Sequence, residues 1–200
     1  MMEIELTARG ALTNQLPRQL YIEVTNHCNS LCVSCPLTYD HFLPFEPKHH
    51  LSWEDFRRIV DQVPFVERAI LHGIGEPLLN RELPRFVAHL KDRGAHVLFN
   101  SNGVLLDERR GDALVEAGLD ELRVSLDAVT PELYARLRGI DQLPRIVRNL
   151  RAFVARHGGR KSPRVSLWLV GMQENLHQLP DFVRLGAEIG VPEVYLQRLV

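Results

Sequence analysis

The chain has 200 residues and a net charge of −1, and 45% of its residues are hydrophobic, as in an ordinary soluble globular protein. The sequence predicts one domain, with no secretory signal, no membrane span and no bulk attraction to nucleic acid. All three cysteines are clustered, which favours a reducing compartment, so we expect a cytoplasmic protein without nucleic-acid or membrane partners.

Strands and helices alternate along the chain after an N-terminal segment, residues 1–19. Strands are predicted at residues 20–24, 66–72, 95–99, 121–126, 164–170 and 193–200. Helices are predicted at residues 52–63, 82–92, 107–117, 131–156 with an interruption near Gly139 and Pro144, and 176–189. This alternation predicts an α/β fold with a parallel sheet, closed as a barrel or open and doubly wound. Because the sequence stops in or just after the sixth strand, we expect a truncated domain that exposes apolar surface there and dimerises or dissolves poorly.

Polar or glycine-rich segments lie at the carboxyl ends of five predicted strands. They are the cysteine loop, residues 73–77, residues 100–103, Ser125 with Asp127, and residues 171–175. The carboxyl ends of parallel strands share one edge of the sheet, where active sites lie in both candidate folds. The sequence therefore predicts one pocket lined by these segments, and His72, at a strand end beside it, is a candidate for substrate contact.

Cys28, Cys32 and Cys35 form a C-x3-C-x2-C pattern directly after the first predicted strand. Thiolates suit zinc, copper(I) and iron–sulfur clusters. There is no fourth cysteine, so a metal centre on these thiolates would keep one ligand position open. His27 could complete a structural zinc site, although it would have to fold back sharply, and three unrelated buried cysteines are a further alternative.

With these segments the chain, from residue 20 to residue 200, resembles the radical S-adenosylmethionine (radical SAM) superfamily. The cysteine pattern is similar to the superfamily's cluster motif. Residues 75–77 resemble its GGEP segment, with Ile74 in place of the first glycine. Residues 101–103 resemble its TNG segment. The fourth strand ends in Ser-Leu-Asp, similar to the SLD segment on the ribose side of the cofactor. The residues of these segments are most similar to those of the branch with C-terminal SPASM-type extensions, and that extension is absent from this sequence.

The resemblance implies a partial (β/α)6 barrel of the TIM type over residues 20–200, with its C-terminal part missing. It also implies a [4Fe–4S] cluster on the three cysteines, with the fourth iron bound by S-adenosylmethionine. An electron from a donor such as flavodoxin or ferredoxin then cleaves S-adenosylmethionine to methionine and a 5′-deoxyadenosyl radical, which abstracts a substrate hydrogen. Modification of a peptide or protein is the first expectation. The alternatives are action on a small metabolite, and an iron–sulfur or zinc module without radical chemistry.

The resemblance also implies a set of residues that contact S-adenosylmethionine. They are Gly73, Gly75, Glu76, Pro77, Asn102, Ser125, Asp127 and Arg138. The glycines would admit the methionine moiety, Glu76 would accept hydrogen bonds from its ammonium group, and Arg138 would pair with its carboxylate. Ser125 and Asp127 would reach the ribose, and backbone at 171–175 and 196–197 would lie near the adenine. Ser34 stands where the superfamily usually has a large or aromatic residue against the adenine, so another contact must replace it.

Overall fold

The computed structural model describes residues 17–39 and 47–198; most of the predicted N-terminal segment lies outside them. Six strands form one sheet: β1 (Gln19–Tyr21), β2 (Arg68–Ile70), β3 (His96–Ser101), β4 (Glu121–Ser125), β5 (Arg164–Gly171) and β6 (Glu193–Arg198). Every strand pairs in parallel with its neighbours in sequence, in the order β1 to β6. A doubly wound sheet reverses its strand order, so this order selects the partial barrel. The predicted α/β fold of parallel strands is confirmed.

Six helices cover the outer face of the sheet: α1 (Trp53–Val60), α2 (Leu83–Asp92), α3 (Glu108–Glu116), α4 (Pro131–Arg138), α5 (Leu143–His157) and α6 (Leu179–Ile189). The predicted interruption in the fourth helical region is confirmed. α4 ends at Gly139, which has a φ of 66°, and Pro144 lies in the first turn of α5, where its missing N–H is not needed. The last predicted helix begins instead as a short 3-10 turn, Leu176–Gln178, and becomes α-helical at Leu179.

Five strands differ from their predicted bounds by at least one residue; β2, predicted over residues 66–72, is shorter at both ends, and β1 and β3 differ near the cleft. The last two predicted residues of β6 lie outside the described residues. β3 runs to Ser101, so Asn100 and Ser101 belong to the strand and not to a turn.

β1 ends at Tyr21, although Ile22 N–H still donates to the Ile70 carbonyl of β2 at 2.9 Å. The chain then pairs with the segment before α1, where the Val24 carbonyl accepts a hydrogen bond from Leu51 N–H at 3.0 Å. The chain thus leaves the sheet after Ile22, before it reaches the cysteines.

Alternation along the central strands separates a core from an inner face. Val97, Phe99, Leu122 and Val124 are fully buried and belong to the hydrophobic core that the helices cover. The residues that alternate with them, Leu98 and Asn100 on β3 and Arg123 on β4, face the inside of the partial barrel. The inner face and the carboxyl ends of the strands therefore bound the same space.

The cysteine loop is attached to the last turn of α4. Leu31 N–H donates to the Arg138 carbonyl and Val33 N–H to the Leu137 carbonyl, both at 3.0 Å. The last carbonyls of a helix have no partner within the helix, so these bonds satisfy groups that α4 leaves open. A Cβ at Gly139 would lie 2.5 Å from the Leu31 carbonyl oxygen. Only glycine allows both the left-handed backbone and this close approach of the loop.

Replacing Gly139 by alanine should therefore disturb the cysteine loop. Gly94 is a matched control, because it also has a positive φ, 79°, but a Cβ there would meet nothing within 4 Å. We expect Gly94→Ala to lower the free energy of unfolding by about 1 kcal/mol, from backbone strain alone, and Gly139→Ala by about 3 kcal/mol. Urea unfolding of both variants measures the difference. Equal losses would show that the loop does not need this close approach.

Candidate active site

A cleft of about 240 Å³ opens at the carboxyl ends of the strands. Its described wall consists of Cys28, Ser30, Cys32, Ser34, Cys35, His72, Gly73, Ile74, Gly75, Glu76, Asn100, Ser101, Asn102, Ser125, Asp127, Arg138 and Val170. The segments after β1, β2, β3 and β4 thus meet at one place, as the sequence predicts. β5 itself reaches the cleft through Val170, whereas residues 171–175, which the sequence predicts on its wall, are not among the described lining residues. Another cavity, of about 370 Å³, lies between α3 and α5 and contains none of these motifs.

The three cysteines are free thiols on the wall of this cleft, with Cys32 buried and the other two half-buried. Burial raises the pKa of the Cys28 and Cys35 thiols above the usual value. Metal ions bind the thiolate, so a bound cation would supply the favourable charge interaction that burial removes. The donor set therefore fits a thiolate-bound metal group.

The candidate zinc site with His27 is not formed. The His27 ring stacks on the His50 ring with 4.5 Å between centroids. Within the described part of the chain, no three His, Cys, Asp or Glu side chains form a site for one metal ion. Three thiols without a fourth cysteine in the sequence suit an iron–sulfur cluster that keeps one ligand position open.

Glu76 connects the loops that follow β2 and β3. Its buried carboxylate accepts hydrogen bonds from Leu78 N–H at 3.0 Å, Ser101 Oγ at 2.8 Å and Asn102 N–H at 2.7 Å. Burial raises the pKa of Glu76, and these donors oppose that rise. Its backbone N–H donates to the His27 carbonyl at 2.7 Å, beside the first cysteine. The two oxygens offer about four acceptor positions, so the carboxylate has one left for a ligand.

Asn102 extends this network to the cysteine loop. Its Nδ2 donates to Asn29 Oδ1 at 2.7 Å and to Ser30 Oγ at 3.1 Å, and its Oδ1 accepts from Val104 N–H at 3.0 Å. Asn29 and Ser30 lie between the first two cysteines and were not singled out in the sequence. The spacing of the cysteine pattern was the available signal, because the residues between ligands must hold the loop in shape.

Asp127 and Arg138 form a buried ion pair at the end of β4. The Asp127 Oδ2 and Arg138 Nε atoms are 2.8 Å apart, without the alignment of a directed hydrogen bond, and the side chains are 2% and 9% exposed. Asp127 Oδ1 accepts from Val170 N–H at 2.9 Å, and Arg138 Nη1 lies 3.5 Å from Cys32 Sγ. Both carboxylate oxygens of Asp127 therefore have protein partners, and the guanidinium faces a cysteine. Ser125, two residues earlier, is half-buried on the cleft wall.

The remaining candidates differ in how they meet the cleft. A Cβ at Gly75 would lie 2.6 Å from the His27 carbonyl oxygen, so this glycine admits the backbone of the cysteine loop. At Gly73 the same space holds the Glu23 side chain, whose carboxylate accepts from Ile74 N–H at 2.7 Å. Pro77 is buried in a 3-10 turn and is not among the described residues of the cleft wall, whereas Ser34 is exposed on it.

Comparison with known proteins agrees with the fold and the cysteine pattern. Residues 22–186 match the model of the Radical SAM superfamily. Fe-coproporphyrin III synthase of Methanosarcina barkeri is 26% identical over 181 residues, covering 88% of this chain and 43% of that protein. GTP 3′,8-cyclase of Rhodococcus opacus is 33% identical over 145 residues, covering 69% of this chain and 40% of that protein. The chain thus spans about half the length of the curated relatives it matches, or less.

Solved structures show the same fold. Streptococcus suis SuiB bound to the precursor peptide SuiA has a TM-score of 0.75 and 16% identity, over 92% of this chain and 40% of that one. SuiB bound to S-adenosylmethionine has the same TM-score and identity. No helix in the described residues is long and apolar enough to cross a membrane. The family match over most of the chain, together with three cysteines at the strand ends of a partial barrel, shows that this chain belongs to the radical SAM superfamily.

Proposed function

We propose that this chain is the core of an enzyme that generates a 5′-deoxyadenosyl radical from S-adenosylmethionine. When bound to the three cysteines, a [4Fe–4S] cluster supplies the electron that cleaves the cofactor to methionine and the radical, which abstracts a substrate hydrogen. The observation that carries the proposal is the cleft itself. Three thiols with no fourth protein ligand share its wall with polar groups from the ends of β2, β3 and β4.

In this proposal the protein residues bind and orient the cluster and the cofactor. Cys28, Cys32 and Cys35 would hold three irons of the cluster and would leave the fourth to the cofactor. Arg138 faces Cys32 Sγ, and its positive charge stabilises the thiolate form of that ligand. Ser125 offers its hydroxyl to the cofactor ribose from the cleft wall. Asp127 positions Arg138, and residues 73–76 would bind the methionine end of the cofactor.

The cleft does not identify the substrate class, and the names of matching curated proteins favour a small-molecule substrate. The curated proteins that match are named for GTP cyclisation, coproporphyrin synthesis and modification of a tungsten enzyme's cofactor. We therefore propose an anionic metabolite as the substrate. A peptide is the second candidate, since SuiB with its bound precursor peptide shares the fold. A small reduced redox protein, flavodoxin or ferredoxin, is the proposed electron donor.

The test of the radical activity is anaerobic. The chain is reconstituted with iron and sulfide, reduced with dithionite and mixed with S-adenosylmethionine. We expect visible absorption from the cluster and equal amounts of 5′-deoxyadenosine and methionine by mass spectrometry. A reconstituted cluster that yields neither product would show that the protein is an iron–sulfur module without radical activity. Zinc in place of iron after anaerobic purification would contradict the cluster as well.

Loss of one thiolate should remove the cluster. We expect Cys32→Ser to hold less than about a tenth of the iron of the unchanged chain and to form no 5′-deoxyadenosine, because a serine hydroxyl is a poor ligand for iron in a sulfide cluster. Val33→Ala is the matched control, since Val33 is exposed and contributes its backbone N–H to the loop. Iron analysis of the two variants decides. Full iron binding by Cys32→Ser would contradict the assigned ligand set.

Breaking the buried ion pair should cost stability as well as cluster binding. Asp127→Asn keeps an acceptor for Val170 N–H but leaves the Arg138 charge buried without its partner, at a cost of about 3 kcal/mol. The control, Asp181→Asn, breaks an exposed pair with Arg184 on α6 and should cost less than about 0.5 kcal/mol. Urea unfolding gives both values. Similar small losses would mean that the Arg138 charge is balanced by another group.

A further inference from the structure

A groove on the outer surface of the barrel, between the start of α2 and α3, has a volume of about 380 Å³. Small-molecule sites in proteins occupy about 300–1,000 Å³, so the groove is large enough for such a ligand. Arg81, Arg109 and Arg110 line it, with Ala113 beside the last two on α3. No Asp or Glu is among the described residues of its wall. We name this space the arginine groove.

Two of these arginines have no partner within the part of the protein that the structure describes. Arg81 and Arg109 are exposed, and the side chain of neither forms an ion pair or a hydrogen bond with residues 17–39 or 47–198. Their acidic neighbours in sequence, Glu82 and Glu108, pair with arginines outside the groove at N···O distances of 3.4 and 2.5 Å. Like charges that face one space repel each other, and a bound anion removes that repulsion.

The charge of the third arginine is balanced within the protein. Asp107, the N-cap of α3, accepts the Arg110 N–H at 2.9 Å through Oδ1, and its Oδ2 pairs with the Arg110 guanidinium. The groove therefore keeps two uncompensated positive charges, from Arg81 and Arg109. A phosphate monoester carries a charge of about −1.5 to −2 at neutral pH, which matches them. A guanidinium also presents parallel N–H donors that fit two phosphate oxygens.

The arginine groove adjoins the candidate active site but is separate from it. The two share no described lining residue. Leu78 and Asn80, in the wall of the groove, belong to the turn that follows Glu76. Asn80 Nδ2 donates to the Val24 carbonyl at 2.8 Å and to the Leu51 carbonyl at 3.1 Å, which holds this part of the wall in place. A ligand in the groove thus binds outside the cleft, against a wall that is already formed.

We propose that the arginine groove binds the phosphate group of a small molecule, either inorganic phosphate or a phosphate ester. Arg81 donates to the phosphate oxygens from the segment before α2, and Arg109 donates from α3. The concave shape and the volume of the groove favour a small molecule over a protein surface, and a net charge of −1 gives the chain no general attraction for nucleic acid. The site does not depend on the proposed radical activity.

The test uses the full chain without S-adenosylmethionine or reductant. Inorganic phosphate, glycerol 3-phosphate and neutral glycerol are titrated into protein with 13C-labelled alanine methyl groups, and NMR follows the Ala113 signal, identified with Ala113→Ser. We expect a saturable shift with both phosphates and none with glycerol. Tighter binding of glycerol 3-phosphate assigns the groove to an ester, and equal binding assigns it to free phosphate. No saturable shift with either phosphate, or tighter binding of a phosphoserine peptide than of both, would overturn the proposal.

Variants separate the arginine groove from general surface charge. Arg81→Gln and Arg109→Gln should each weaken phosphate binding about tenfold, because each removes charge-assisted hydrogen bonds. Arg148→Gln, which removes an exposed arginine on α5, should leave binding unchanged. Arg109→Glu reverses the charge at an exposed position and should abolish the shift. Unchanged binding by a folded Arg109→Glu protein would rule the site out. Because the assay involves no radical chemistry, failure of this site and failure of the radical activity are separate results.

Discussion

The buried carboxylate of Glu76 is the group on which the geometry of the cleft depends. A carboxylate is costly to bury unless donors surround it, and three donors from two loops do so here. Its oxygens fix the end of β3, while its own N–H holds the carbonyl of the residue before Cys28. Three consecutive strand ends are thereby tied to one residue, through its carboxylate and its backbone N–H. The positions of the thiols are set by the fold before any metal arrives.

The cysteine loop is held from the opposite side by α4. The last carbonyls of this helix accept N–H groups from Leu31 and Val33, which flank Cys32. The same helix end carries Arg138, whose charge lies between the Asp127 carboxylate and Cys32 Sγ. One short helix thus supplies both the mechanical attachment of the loop and the positive charge beside its central thiol. A change in the position of α4 would alter both together.

The sequence predicted the larger features because they depend on local patterns. Alternating strands and helices determined the parallel sheet, and the polar segments at strand ends determined the shared rim. The sequence did not predict which polar groups of that rim form hydrogen bonds or ion pairs with other protein residues. Asp127 and Arg138 were each expected to contact the cofactor; the structure places both on the cleft wall and also pairs them with each other, which the sequence did not predict. Such pairings depend on side-chain distances between elements, and spacing along the chain does not report them. Asn100 was placed in a turn, because Asn-Ser-Asn-Gly is also a typical turn sequence.

The two layers of polar groups in the barrel differ in how far the protein satisfies them, and this difference has a physical meaning. At the rim, Ser101, Asn102 and Asp127 form hydrogen bonds with residues of other strands and loops. These bonds make the rim rigid. One layer lower, His72 and Asn100 keep buried atoms without partners. Satisfied groups stabilise the folded chain, whereas unsatisfied ones lower its stability until a ligand binds. The rim is therefore a rigid frame, whereas the layer beneath it carries polar atoms that the described part of the chain does not pair.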